Sequence, residues 1–404
     1  MRAARLLPLL FVALLLPVHA LAGFTETLPT GTFLLDVGWM QSTLDSKWDN
    51  RERRVPLIEE MVRYEPGSGR QGTLKPQVEA ELSIFAIQLF YGITDSLSVG
   101  GGLPLMQYAD IDPNFDWERG DYQWSLGRSY SETDFWEWAG SMGQPKPGHW
   151  RGNEWIIGDV QLGVLFRFSD YIKWFEKIDS GMGLTIMGAL PTGKQPDPEE
   201  VITAGTTSWD FHSNGDLGFR VGYDKFFHDS LDGRLTLGTE VFYEIFFPHS
   251  YISPEGKKNP LMCNYRAFTG KHYTIDGGDW LGASAQIEVV PLRGPALGTW
   301  LVKGDASKAE ALPPLLTLQF RYTYINMQQS DWDSDSEIWD WDREKEWRPG
   351  FKQILFGKAT IGLLRLGLPL MPYVSYRNLT WLESKNCRAP NVLGIGTRVL
   401  LKFW

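Results

Sequence analysis

The segment spanning residues 391–403 constrains the fold most, because it alternates between two kinds of side chain. One face carries large apolar side chains: Leu393, Ile395, Val399, Leu401 and Phe403. The other carries glycine and basic side chains: Gly394, Gly396, Arg398 and Lys402. Because successive side chains of a β-strand point to opposite faces, this pattern predicts a strand with one apolar and one polar face. A transmembrane β-barrel satisfies both faces, with lipid outside and a polar interior.

This strand resembles the closing strand that the barrel-assembly machinery recognises in bacterial outer-membrane proteins. Phe403 holds the usual place of the aromatic residue, and Trp404 lies one residue beyond it. The resemblance implies the barrel-assembly machinery as a partner, together with outer-membrane lipid and lipopolysaccharide. The alternative is the terminal strand of a soluble sandwich, which needs a second sheet to cover its apolar face.

The beginning of the chain has the pattern of a secretory signal. Arg2 and Arg5 precede an apolar run from Leu6 to Leu16, and small residues follow at Ala20 and Ala22. We therefore predict a cleaved signal peptide over residues 1–22 and a single barrel domain over residues 23–404. The apolar run is too short to span a bilayer as a helix.

Composition agrees with an exported barrel. The 404 residues include 42 Gly, 18 Trp, 15 Tyr and 22 Phe, and the mean hydropathy is −0.24. These values fit a chain that alternates apolar with polar residues. The net charge of −10 argues against a nucleic-acid partner.

The spacing of alternating segments predicts an all-β fold. We expect a transmembrane antiparallel up-and-down β-barrel of about 12 strands, with short periplasmic turns and long extracellular loops, in the bacterial outer membrane. In the second strand the apolar set is predicted to face lipid: Val78, Ala80, Leu82, Ile84 and Ala86. The alternate positions, among them Glu79 and Glu81, are then predicted to face inward.

The inward positions predict the pore lining. The acidic ones are Asp36, Glu79, Glu81, Asp159, Asp216, Asp224, Glu240, Glu244 and Glu288. The basic ones are Arg167, Arg220, Arg234, Arg321, Lys352, Lys358, Arg377, Arg398 and Lys402, and the neutral polar ones are His212 and Asn214. Acidic and basic residues concentrate on different strands, which indicates either a transverse field across an open lumen or an interior of paired charges. The sequence favours the paired, largely occluded interior, because unpaired charges in a narrow lumen are costly.

Two predicted extracellular loops are acidic and rich in tryptophan. One contains Trp117, Trp124, Trp136, Trp138 and Trp150, and the other spans residues 331–342. Aromatic side chains of this kind can bind a sugar or an apolar ligand, and the carboxylates can bind divalent cations. We favour an interfacial aromatic girdle with solvated acidic tips, and we predict no metal site and no cofactor.

Cys263 and Cys387 are the two cysteines of the chain. Both are predicted to lie in extracellular loops, and the oxidising periplasm permits a disulfide between them. Because bonded cysteines must approach closely, we expect the loop from Pro248 to Gly278 to fold across the mouth and reach Cys387.

Short turn motifs carry a family resemblance. They are Leu28-Pro-Thr-Gly-Thr-Phe33, Tyr91-Gly-Ile-Thr-Asp95, Leu190-Pro-Thr-Gly-Lys194 and Gly205-Thr-Thr-Ser-Trp-Asp210. The chain resembles the outer-membrane barrels grouped with the phenol meta-pathway protein and, more distantly, the FadL-type transporters. The resemblance implies passive uptake of small hydrophobic or aromatic solutes. FadL-type barrels have more strands and an amino-terminal plug, and the segment from Gly23 to Thr30 looks too short to supply one.

Two other classes of function remain open. His212-Ser-Asn-Gly215 is similar to the His-x-Ser-Asn motif of outer-membrane phospholipase A and lipid A deacylase. Here the His and Ser are adjacent, so they point to opposite faces of a strand, and we expect the chain not to be an enzyme. The third class is a structural or adhesive surface barrel.

Overall fold

A computed structural model describes residues 23–57, 60–65, 69–141, 146, 148–152, 155–193, 215–228, 234–252, 272–293, 313–329, 331–334 and 349–402. Its main sheet has 15 strands, of which twelve long ones form the barrel. They are β1 (Thr32–Leu44), β2 (Gly69–Thr94), β3 (Leu97–Arg119), β4 (Val160–Phe166), β5 (Ser180–Leu190), β6 (Asp216–Phe226), β7 (Leu235–Phe246), β8 (Trp280–Leu292), β9 (Leu316–Met327), β10 (Gly350–Ile361), β11 (Leu370–Asn378) and β12 (Asn391–Lys402).

Pairing between the first and last strands closes the sheet. Each barrel strand pairs antiparallel with the next along the chain, and β12 pairs with β1 from Thr32 opposite Lys402 to Thr43 opposite Asn391. The predicted fold class is therefore confirmed: an all-β, antiparallel, up-and-down barrel of twelve strands. Closure gives the backbone groups of the first and last strands hydrogen-bond partners, as the lipid interior of a bilayer requires.

The outer face of the barrel is apolar. Large side chains are exposed around the wall, with Leu237 38%, Val241 57% and Ile395 56% accessible. The interior face carries buried polar and charged side chains. An apolar surface around a polar interior is the arrangement of a bacterial outer-membrane barrel, as predicted. Among the described residues no helix is long and apolar enough to cross a membrane.

Shorter elements lie in the connections. The short strands are Ser46–Trp48, Arg54–Pro56, Met61–Glu65, Tyr122–Gln123, Arg128–Ser129, Trp150–Gly152, Ile156–Ile157, His249–Ile252, His272–Asp276, Asp331–Ser334 and Cys387–Arg388. The helices are α1 (Glu132–Ser141) and α2 (Lys173–Lys177), with 3₁₀ turns at Phe168–Tyr171 and Leu363–Leu366. The 3₁₀ turns and α2 lie in periplasmic connections, and α1 lies in the long loop after β3.

The register predicted for β2 is wrong. Ala80, Leu82 and Ile84 are buried, whereas Glu79 is exposed on the outer surface. β2 and β3 extend well beyond the barrel as an arm, and the short strand Met61–Glu65 pairs with β2 there. Water surrounds the outer surface of this arm, and charged side chains can face it. Lower in β2 the same outward positions carry Phe85, Ile87 and Leu89. The outward face of β2 therefore meets water on the arm and lipid in the barrel wall. Alternation alone cannot reveal this change of environment along one strand.

The tryptophans of the first Trp-rich loop mostly form a small core on this arm. Leu74, Tyr130, Phe135 and Ala139 are buried together, and Trp117, Trp136 and Trp138 pack against them. Arg63 stacks on the Trp138 ring with its guanidinium carbon 3.6 Å from the ring centroid. Trp124, in contrast, is 90% exposed. The Trp117, Trp136 and Trp138 rings therefore stabilise α1 on the arm, whereas Trp124 is open to solvent.

Candidate functional site in the barrel interior

A cavity of about 170 Å³ lies inside the barrel and is lined from nearly every strand. Its charged lining residues are Asp36, Asp216, Arg220, Glu244, Arg321, Lys358, Arg377 and Arg398. Its aromatic lining residues include Phe242, Trp280, Phe356 and Tyr373. Strand alternation positions all of these side chains, since each occupies an inward register position. The cavity therefore combines aromatic surface with fixed charge.

The interior charges are divided between two walls. Carboxylates lie on β6, β7 and β8, as Asp216, Asp224, Glu240, Glu244 and Glu288. Basic side chains lie on β9 to β12, as Arg321, Lys352, Lys358, Arg377 and Arg398. Such a division creates a field across the lumen, which acts on any charged solute inside it.

Two ion-pair networks neutralise part of this charge. Arg220 lies within the acidic wall, where it donates to Glu244 and, at 3.4 Å, to Glu240. On the other side Arg398 Nε donates to Asp36 Oδ2 at 2.9 Å. The Tyr373 hydroxyl donates to Asp36 Oδ1 at 2.8 Å. These contacts agree with an interior in which many charges are paired.

Several cations of the basic wall have no carboxylate partner in the described part of the chain. Lys358 Nζ lies 3.9 Å from the centroid of the Tyr373 ring. Lys352 is 1% exposed, its Nζ has no hydrogen-bond partner among the described residues, and it lies 4.0 Å from the centroid of the Trp280 ring. Aromatic faces thus stabilise two of these ammonium groups in place of carboxylates.

The segment from Gly23 to Thr30 occupies the periplasmic end of the interior. Thr25 donates to Asp224 Oδ2 twice, from its backbone nitrogen at 2.7 Å and from its hydroxyl at 2.8 Å. The backbone nitrogen of Leu28 donates to Ser98 Oγ at 2.8 Å. Leu28 also packs with buried residues of β1, β2 and β11: Leu34, Phe90 and Met371. The segment therefore enters the barrel at its periplasmic end, although its length had suggested that it is too short to supply a plug.

Interior glycines make room for this segment. A Cβ at Gly222 would lie 2.7 Å from Phe24, and one at Gly238 would lie 2.8 Å from the Phe24 ring. A Cβ at Gly181 would lie 2.6 Å from the Thr25 hydroxyl. Because any larger residue would collide with the segment, the inward glycines of β5, β6 and β7 are the sequence signal that could have located it.

An apolar cluster lies at the extracellular end. Its members come from the barrel and from two connections: Trp48, Phe242, Trp280, Ile325, Met327, Ile354, Leu379, Cys387 and Ala389. The Trp48 indole donates to the Leu379 carbonyl at 2.9 Å, and the short strand Ser46–Trp48 pairs with Cys387–Arg388. The cavity thus lies between this cluster and the amino-terminal segment.

Other residues of the predicted lining are placed as follows. Asp159, Asp224, Glu240, Glu288 and Lys352 are buried, and Asp159 Oδ1 accepts a hydrogen bond from the Gly193 backbone at the extracellular end of β4. Glu79 lies on the outer face of the arm, and Glu81 lies on the same face of β2 at the rim of the barrel, opposite Thr43 of β1. His212 and Asn214 lie outside the described residues, as does the side chain of Lys402.

Arg167 and Arg234 lie at the periplasmic rim and do not face the cavity. Arg167 follows the last residue of β4 and donates to Asp170 at 2.7 Å. Arg234 is exposed immediately before β7. Both were predicted inward by extending the alternation past the end of a strand, where the pleat no longer fixes the side-chain direction.

Cys387 is buried and has no disulfide partner among the described residues, and its Sγ donates to the Phe351 carbonyl at 3.6 Å. Cys263 lies outside the described residues, so the disulfide and the loop that it would tether stay predictions. No group of three or more His, Cys, Asp or Glu residues suited to a metal ion is found among the described residues.

Two aromatic lining residues were not predicted from the sequence: Tyr373 and Phe356. Tyr373 joins Asp36 to Lys358. Gln286, which was predicted inward on β8, accepts at Oε1 from the Arg321 guanidinium at 2.6 Å. Alternation in β10 and β11 places Phe356 and Tyr373 inward, so the signal for both was present in the sequence.

Comparison with known proteins identifies the fold. No family model matches the chain, and no curated protein matches it. The COG4313 outer membrane channel from Pseudomonas putida F1 is similar over 94% of this chain and 98% of its own, with a TM-score of 0.52 and 11% identity. The CymD monoaromatic hydrocarbon channel has a TM-score of 0.33 over 93% of this chain and 90% of its own, at 10% identity. As predicted, the structures that this chain resembles include outer membrane channels, and the first of them shows a shared barrel fold.

Proposed function

We propose that the protein is a passive outer-membrane channel for small aromatic solutes. The observation that carries the proposal is the interior cavity, where Phe242, Trp280, Phe356 and Tyr373 lie among inward polar side chains. A cavity of about 150 Å³ is known to accept one benzene molecule, so the 170 Å³ here suits a single ring. In this proposal the inward charged residues of β6 to β12 are the pore lining.

Opening requires movement at the two ends of the cavity. The amino-terminal segment is attached through hydrogen bonds to Asp224 and Ser98, and the extracellular cluster depends on Trp48. Such contacts of a short segment can open locally without unfolding the sheet. Solute would then cross between the two ends through the aromatic cavity.

Planar-bilayer conductance and liposome swelling test the proposal. We expect swelling with phenol and none with a disaccharide, which exceeds the cavity. A folded barrel through which no small solute passes would contradict the proposal and favour the surface-barrel alternative. Lipid hydrolysis that disappears in Ser213→Ala would instead favour the enzyme.

A further inference from the structure

Two arginines and one phenylalanine lie side by side on the basic wall. Arg321 of β9 pairs with Phe356 of β10, and Phe356 pairs with Arg377 of β11. Adjacent strands are about 4.8 Å apart, so the two arginines stand roughly 10 Å apart with the ring between them. All three line the cavity.

Neither arginine makes an ion pair with a carboxylate among the described residues, although Glu240 and Asp224 attract the charge of Arg321 without contacting it. Arg321 donates to Gln286 Oε1 at 3.0 and 2.6 Å and lies 4.6 Å from the Phe24 ring centroid. Arg377 makes no hydrogen bond and no ion pair with any described residue, and its charge is repelled by that of Arg321. Two adjacent cations in a confined space are costly unless an anion joins them.

The carboxylates that line the cavity do not supply this anion. Asp36 is bonded to Arg398, and Glu244 is bonded to Arg220. Asp216 accepts from the Ala189 backbone at 3.0 Å, on β6 and away from the basic wall. The lining carries five basic and three acidic side chains, an excess of two positive charges.

The side chains of Arg321, Phe356 and Arg377 together suit one class of ligand. A guanidinium binds a carboxylate through two parallel hydrogen bonds. Phe356 offers a ring face or edge beside that position, where a second aromatic ring packs favourably. A ligand with one ring and one carboxylate satisfies both features and fits the cavity.

We propose that Arg321, Phe356 and Arg377 form a binding site for a small aromatic carboxylate. This rests on the proposed channel function and narrows its solute class from aromatic compounds to anionic ones. The two guanidiniums hold the carboxylate, and the Phe356 ring packs on the solute ring.

Calorimetric titration of the folded, detergent-solubilised protein tests the site without requiring transport. The probes are benzoate and benzyl alcohol, which share the ring and differ in charge. We expect benzoate to bind, benzyl alcohol to bind about tenfold more weakly or worse, and Arg377→Gln to weaken benzoate by about tenfold or more. Phe356→Leu should weaken benzoate more than it weakens acetate. Lys173→Gln removes the same charge from the exposed surface of α2 and should change nothing.

Reversal potentials in a potassium chloride gradient give the second measurement. We expect the channel to be selective for chloride over potassium, with this selectivity reduced in Arg377→Gln and unchanged in Lys173→Gln.

Benzoate binding without any conductance would refute the proposed channel function and leave the proposed binding site standing. Conductance with equal affinity for benzoate and benzyl alcohol, or with Arg377→Gln indistinguishable from the wild type, would refute the site and leave the channel standing. Stronger binding of benzylammonium than of benzoate would also refute the site.

Discussion

Arg398 of the last barrel strand donates from Nε to Oδ2 of Asp36 on the first strand at 2.9 Å, at the position where the two residues pair directly across the closing seam. Both side chains are almost fully buried, with 9% and 7% exposed. The pair therefore joins the two strands that close the barrel and also lines its cavity. Backbone pairing sets the register, and this buried pair disfavours any shift of it.

Breaking this pair should destabilise the barrel. Arg398→Met leaves the Asp36 carboxylate buried with only the Tyr373 hydroxyl that is seen to donate to it, and we expect a loss of about 3 to 5 kcal/mol in the free energy of unfolding. The double variant Asp36→Leu with Arg398→Met should lose less than the sum of the two single variants. Urea unfolding in lipid measures all three, and strictly additive losses would show that the pair contributes nothing.

A charge on the lipid face should be far more costly than one inside. We expect Leu237→Arg to cost about 2 to 4 kcal/mol if it lies near the middle of the membrane. Thr236→Arg points inward opposite Glu288 on β8, which can pair with the new charge. Folding yield and unfolding free energy in vesicles compare the two variants. Equal losses would contradict the assigned faces of β7.

The amino-terminal segment should restrict conductance. Asp224→Ala removes the acceptor of both hydrogen bonds from Thr25, and bonds to a charged group contribute about 1.5 to 3 kcal/mol each. We expect larger single-channel conductance and faster protease cleavage near Thr25. Asp170→Ala, which removes an exposed periplasmic aspartate bound to Arg167, is the matched control. Unchanged conductance and cleavage in Asp224→Ala would show that the segment does not obstruct the pore.

The face assigned to the arm of β2 can be tested with paired cysteines. In a background with Cys263→Ser and Cys387→Ser, we expect Glu79→Cys to react readily with a water-soluble maleimide on intact cells. Ala80→Cys, which is fully buried, should react only after unfolding. The opposite order would restore the register that the sequence predicted.

Cys387 should be nearly unreactive in the folded protein. It is buried among apolar side chains, and this burial raises the pKa of its thiol to about 11. Labelling at mildly alkaline pH should therefore be at least about tenfold slower before denaturation than after it, because the thiolate is the reactive form.

The count of reactive thiols in unreduced, denatured protein tests the predicted disulfide between Cys263 and Cys387. Two reactive thiols per chain exclude the disulfide, and none requires it.

The sequence alone determined the barrel and most of its two faces. In β7, β8 and β12 each side of the strand meets one uniform environment, so the alternation of residue types records the direction of every side chain. The division of charge between β6 to β8 and β9 to β12 followed from the same alternation.

Tertiary structure decided what alternation cannot express. The charged side of β2 faces outward because the arm stands above the membrane, where the outer surface is wet. The segment from Gly23 to Thr30 enters the barrel because glycines on three strands leave space that no single-strand pattern reveals. Which charges are paired depends on contacts between strands: Asp36 meets Arg398, Glu244 meets Arg220, and Arg377 meets no carboxylate in the part of the chain that the structure describes. That last outcome, which gives the cavity its positive wall, is a property of the closed barrel and is absent from any one of its strands.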